Sequence, residues 1–95
     1  MTIRDEKLQR RREEELFQRR ILFMGEAVTS KLAQSLVQDL LLLGASEEPI
    51  SLYVNSPGGE VHSGFAIFDA IGHIQAPVKV ICTGLCASIA TVIAP

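Results

Sequence analysis

The sequence predicts an α/β fold built on a parallel sheet, and three features of its 95 residues carry that expectation. Three short apolar runs, "RILFM", "ISLYVNS" and "VKVICTG", hold the β-branched and aromatic residues that strands favour. Between them lie two stretches whose apolar residues recur at helical spacing, and a further helical run follows the third strand. The order β-α-β-α-β-α calls for parallel strands joined by right-handed crossovers. Finally, 47% of the residues are hydrophobic but only 5% are aromatic, with no Trp, so Leu, Ile, Val and Ala must build the core.

Taken in order, residues 1–19 read as a charged N-terminal arm. "RDEKLQRRREEELFQR" is dense in good helix formers, with Leu8, Leu16 and Phe17 as sparse apolar points, which suits a solvated helix or a disordered arm. Residues 20–95 read as one domain. Arg20 to Met24 is the first strand, closed by Gly25. Thr29 or Ser30 then caps a helix running to about Leu43, with Leu32, Leu36, Leu40 and Leu43 on one face and Gly44 just past its end. After the turn-like "ASEEP" comes the strand Ile50 to Ser56. Val61 to Ile74 is a second helix, with Phe65, Ile67, Phe68 and Ile71 at helical spacing, ended by Pro77. Val78 to Gly84 is the third strand. "CASIATVIA" opens a helix so apolar that it belongs inside something larger.

Charge and cysteine use narrow the function classes. Residues 1–20 carry seven Lys/Arg against five Asp/Glu, and the rest of the chain two against six, which sums to −2. Such a body offers no basic surface to nucleic acid. Cys82 and Cys86 sit among apolar neighbours without a second Cys/His pair, so they read as buried free thiols of a reducing compartment, and no metal site is expected. The charged N-terminus is neither a secretory signal nor an anchor, and "VQDLLLLGA" is too short and too interrupted to span a bilayer. A soluble cytoplasmic protein without cofactors is the expectation.

Chemistry points to two glycine-bearing loops at the carboxyl ends of strands, where open α/β sheets bind ligands. "NSPGG" follows the second strand and "TGLCAS" the third. Ser88, at a helix start, reads either as a helix cap or as a nucleophile. Two fixed amides are a recurrent way to hold a tetrahedral oxyanion. The amides of Gly58 and Ile89 are the candidate pair, with Ser88 Oγ attacking the carbonyl. An extended peptide could add as a strand to the backbone of Gly59, Glu60 and Val61.

The paired segments "YVNSPGG" and "GLCAS", some thirty residues apart in strand-helix order, resemble the proteolytic subunit of the Clp ATP-dependent protease family, and the likeness extends from "FQRRILFMGEAV" to "VKVICTGLCASIATVI". The resemblance implies the ClpP/crotonase-like fold of stacked β-α-β units. It also implies a serine endopeptidase of two stacked heptameric rings, fed unfolded polypeptide by a hexameric AAA+ unfoldase that spends the ATP. Carried onto this chain, Ser88 matches the nucleophile, Gly58 and Ile89 the oxyanion donors, and Gly59 to Val61 the substrate-binding strand. Where the family usually continues after the serine with Met and Gly, this chain has Ile89 and Ala90. The family's catalytic histidine and aspartate lie downstream of the serine, beyond Pro95, so the chain reads as C-terminally truncated and almost inert alone. His62, expected near solvent, and His73, at the far end of its helix, are poor substitutes, and Asp69 matches a non-catalytic position.

Three other readings share some of these features. A non-catalytic assembly or binding subunit would keep the oxyanion loops as relics. A crotonase-like acyl-CoA protein would use the paired amides for a thioester enolate but needs no serine at position 88. A membrane-associated relative of the signal peptide peptidase or NfeD type lacks its membrane segment here.

Overall fold

A Thr2 hydroxyl opens the first element by accepting the Asp5 amide, while the Asp5 carboxylate reaches back to the Thr2 backbone. This reciprocal box starts α1 (Ile3–Gln18), which has no buried residue along its length. The hydrogen bonds from Thr2 hold the Asp5 carboxyl below its usual range. In the computed structural model, residues 2–88 and 90 are described. Five elements follow α1: β1 (Ile21–Met24), α2 (Ser30–Leu43), β2 (Ile50–Ser56), α3 (Val61–His73) and β3 (Val78–Cys86).

The strands form one parallel sheet in the order β1-β2-β3, as the alternation of elements predicts. Leu22 and Met24 of β1 and Ile50, Leu52, Val54 and Ser56 of β2 turn to one face and are buried. The period of two places Phe23 and Tyr53 on the other face, where their rings stack at 5.2 Å. Helices α2 and α3 pack on each other, and their buried residues join the sheet's in a single core.

Thr29 caps α2 through its side chain, which accepts the Leu32 amide at 3.1 Å. Ala33, Leu36, Leu40 and Leu43 form the buried stripe, and Leu32, expected there, is only half-buried. Gly44 ends the helix with its amide on the Leu40 carbonyl at 2.7 Å. A Cβ at Gly44 would sit 2.5 Å from Ile74 Cβ, so the ends of α2 and α3 are close here. On α3 the expected apolar set divides. Ser63, Gly64, Ile67 and Ala70 are buried and Ile71 half-buried, but Phe65 is 44% and Phe68 47% exposed. At about 100° per residue positions 65, 67, 68 and 71 spread over about 160°, and the buried arc lies around Ile67, which leaves Phe68 and Phe65 to its side.

Arg20, expected in the first strand, instead takes φ of +61° and turns the chain from α1 into β1. Its guanidinium donates to the carbonyls of Leu43 at 2.7 Å, Glu48 at 2.7 Å and Pro49 at 3.2 Å. The end of α2 and the entry to β2 are thereby tied to the start of β1. Arg20→Ala removes all three bonds and is expected to cost about 1–3 kcal/mol in urea denaturation.

Asp39 on α2 borders a cleft between α1 and β1 with Leu16, Phe17, Ile21 and Phe23, and partial burial raises its pKa above 3.8. The folded state therefore holds this proton more tightly than the unfolded chain. Stability falls as pH rises from the ordinary carboxylate value through the raised one, then levels off. Asp39→Asn is expected to raise the melting temperature slightly at pH 7, with the gain gone below pH 3.8.

Candidate active site

Ser56, the last residue of β2, is fully buried, and its Oγ accepts the Gly58 amide at 3.1 Å. A serine side chain bonded two residues ahead is a common turn device, and it fixes the start of the Pro57-Gly58-Gly59 loop. The loop then pairs with the segment between β1 and α2. Val28 N–H donates to Gly58 O and Glu60 N–H to Val28 O, both at 2.8 Å, around a parallel bridge between Val28 and Gly59. A Cβ on Gly59, which has φ of +153°, would fall onto the Val28 backbone. Only glycine admits this approach.

The bridge sorts the polar groups of the candidate substrate-binding segment. Because Gly58 O and Glu60 N–H face Val28, the N–H and C=O of Gly59 face the opposite side. Glu60 holds the N-cap position of α3 without a side-chain bond to its backbone, accepting instead a 2.8 Å bond from Ser63 Oγ, and Val61 is already the first helical residue. The extended edge at this loop is therefore one residue long.

The third strand runs two residues past the expected Gly84, to Cys86. It does so through an irregularity. Val54 pairs with Cys82 and Ser56 with Cys86, so two steps on β2 face four on β3. Gly84 takes φ of +100° inside this bulge, against the Asn55 side chain, and the Leu85 amide donates to Asn55 Oδ1 at 3.0 Å. Four residues of regular strand would span about 13 Å. The bulge brings the Cα atoms of Cys82 and Cys86 to 6.2 Å, and the two are joined as a disulfide. The expectation of buried free thiols is corrected on both counts, since Cys82 is exposed and Cys86 half-buried.

Beyond the bulge the ladder resumes, with Ala87 N–H on Ser56 O at 3.1 Å. Ser88 follows with φ of +55°. Helix caps ordinarily sit in the extended region, whereas a nucleophile on a strand-to-helix elbow takes a sharp, strained turn. Ser88 therefore does not lie in the extended region of an ordinary helix cap. Ala90 is buried with its amide on Ala87 O at 3.1 Å. Ile89, the second candidate oxyanion donor, lies outside the described residues.

The two loops meet. A Cβ on Gly58 would lie 2.6 Å from Ser88 Cβ, 2.8 Å from the Ala87 carbonyl and 3.2 Å from Ser88 Oγ. Gly58 and Ser88 are therefore in contact across strands β2 and β3. The histidines lie elsewhere. His62 lines a shallow groove between α2 and α3 with Ser30, Gln34 and Gln38, while His73 ends α3, some 18 Å along the helix from its start. Among the described residues no cluster of His, Cys, Asp and Glu has metal-binding geometry, and no helix is long and apolar enough to cross a membrane.

Two residues of the site escaped the sequence reading, Asn55 and Ser56. Their signal was present in "NSPGG", because Asn and Ser before Pro-Gly commonly bond the backbone of the turn they open.

A family model described as Clp protease matches residues 4–95. The ATP-dependent Clp protease proteolytic subunit of Deinococcus radiodurans is 45% identical over 80 residues, covering 82% of this chain and 39% of that protein. Proteolytic subunit 1 of Synechococcus sp. (strain CC9902) is 49% identical over 75 residues, covering 77% and 38%. Among solved structures, ClpP1 from Listeria monocytogenes superposes with a TM-score of 0.80 at 35% identity, over 85% of this chain and 48% of that one. The ClpP protease catalytic domain from Plasmodium falciparum gives 0.81 at 34% identity, over 98% and 51%. The chain spans about two fifths of the length of these curated relatives.

Gly58→Ala places a methyl group against Ser88 at a backbone torsion that disfavours side chains. A loss of about 1–3 kcal/mol is expected in chemical denaturation.

Proposed function

This chain belongs to the Clp protease family, and from that premise we propose that it carries the nucleophile half of a serine endopeptidase site, working within an ATP-dependent Clp protease. The observation that carries the reading is the contact of Gly58 with Ser88, whose left-handed backbone sits at the end of β3. The proposed substrate is unfolded polypeptide, delivered in the cytoplasm by a hexameric AAA+ unfoldase to stacked heptameric rings. Names of the relatives support the partnership with an ATPase.

In the proposed reaction a substrate strand pairs with the N–H and C=O of Gly59, which brings a scissile carbonyl over Ser88. Oγ forms the new C–O bond as its proton passes to a histidine base. The carbonyl oxygen becomes an oxyanion held by the amides of Gly58 and Ile89. Gly58 N–H must leave Ser56 Oγ to make that bond. Collapse of the intermediate expels the amine, which takes the proton from the histidine, and water then releases the acyl group from Ser88 by the same steps. The base is proposed to come from sequence corresponding to the part of the relatives that this chain does not match, since His62 faces α2 and His73 lies at the wrong end of α3.

A fluorophosphonate probe tests the assignment on the protein as its source makes it. Labelling of one serine, abolished in Ser88→Ala, is the expected result. An unlabelled protein that still co-purifies in a ring would assign the chain to assembly instead.

A further inference from the structure

Strands β2 and β3 keep step from Ile50 with Val78 to Val54 with Cys82, then lose it for two residues before Ser56 meets Cys86. Everything after that break depends on how it is closed. Ala87 reaches the Ser56 carbonyl, and Ser88 reaches Gly58, only because Thr83, Gly84 and Leu85 are taken up in the bulge. Asn55 is the β2 residue opposite the bulge, between the two paired positions. Its Oδ1 takes the Leu85 amide at 3.0 Å, as a main-chain carbonyl would in a regular ladder. The same side chain lies against Gly84, where an added Cβ would come within 3.0 Å of Oδ1 and 3.3 Å of Cγ. With φ of +100°, Gly84 supplies both the turn and the room.

We infer that Asn55 is a positioning residue for Ser88: its side-chain carbonyl fixes the depth of the β3 bulge and so sets the reach of the chain from Leu85 to the serine. The inference rests on Ser88 being the nucleophile. Asn55 touches no reacting atom. It acts through Leu85, Cys86 and Ala87, and the disulfide across the same bulge leaves the Leu85 amide still in need of an acceptor. A reacting serine is sensitive to placement, since an error of about 1 Å can cost about a hundredfold in rate.

The test compares wild type, Asn55→Ala, Asn55→Asp and Ser88→Ala in the protein as its source makes it, by fluorophosphonate labelling rate and by kcat and KM on a short peptide. Asn55→Ala is expected to label about ten to a hundred times more slowly, with kcat lowered and KM little changed. Asn55→Asp keeps an oxygen acceptor and is expected to stay within about threefold of wild type. Amide exchange at Leu85 should rise in Asn55→Ala and not in Asn55→Asp. Wild-type labelling rates in Asn55→Ala, or equal losses in both variants, would overturn the inference while leaving the nucleophile in place. Wild-type protein that takes no label, or Ser88→Ala that labels like wild type, would overturn the nucleophile reading and with it the role of Asn55.

Discussion

Two missing Cβ atoms hold this site together. Gly59 has the Val28 backbone on one side, and Gly58 has Ser88 and the Ala87 carbonyl on another. With a methyl group at either position, the loop after β2 would be pushed from its partners. The bridge to Val28 ties the loop to the segment entering α2, and the contact with Ser88 ties it to the end of β3. The segments leaving the three strands thus converge on a few atoms of backbone, where side chains would only intervene.

The opposite end of the sheet, where β1 and β2 begin, is organised by a side chain instead. Arg20 gathers the carbonyls of Leu43, Glu48 and Pro49, which belong to the end of α2 and the approach to β2. These acceptors have no helical or strand partner of their own to supply the bond, and one guanidinium serves all three. The division is chemically sensible. Charge-assisted bonds from one side chain fix that end, while at the glycine loop main-chain groups make most of the contacts.

Most of the architecture was legible because periodicity states it. The alternation of short apolar runs with helical stripes gave β1, α2, β2 and α3, and Thr29 and Gly44 mark the ends of α2 in the sequence as in the fold. Glycine spacing marked Gly58, and parallel order put its loop and the segment of Ser88 at the same end of the sheet, but their contact needs the slip in β3. What the sequence concealed depends on register. Nothing in "VKVICTGLCAS" announces that β3 slips by two residues against β2, so neither the approach of Cys82 to Cys86 nor the opening filled by Asn55 could be counted from spacing. Phe65 and Phe68 misled for a simpler reason: apolar residues at helical intervals do not say which of two adjacent faces turns inward.

The bulge in β3 also has a consequence in time. Each parallel pairing closes a loop of about thirty residues, and such non-local contacts form later than helices. During synthesis the amino-terminal elements emerge first, so β1, α2, β2 and the glycine loop can assemble while the third strand is still being made. Ser88 gains its turn only when β3 docks and the slip beside Asn55 has formed. A nascent chain therefore holds the glycine loop before the segment that meets it, and the contact of Gly58 with Ser88 is the last of these to close.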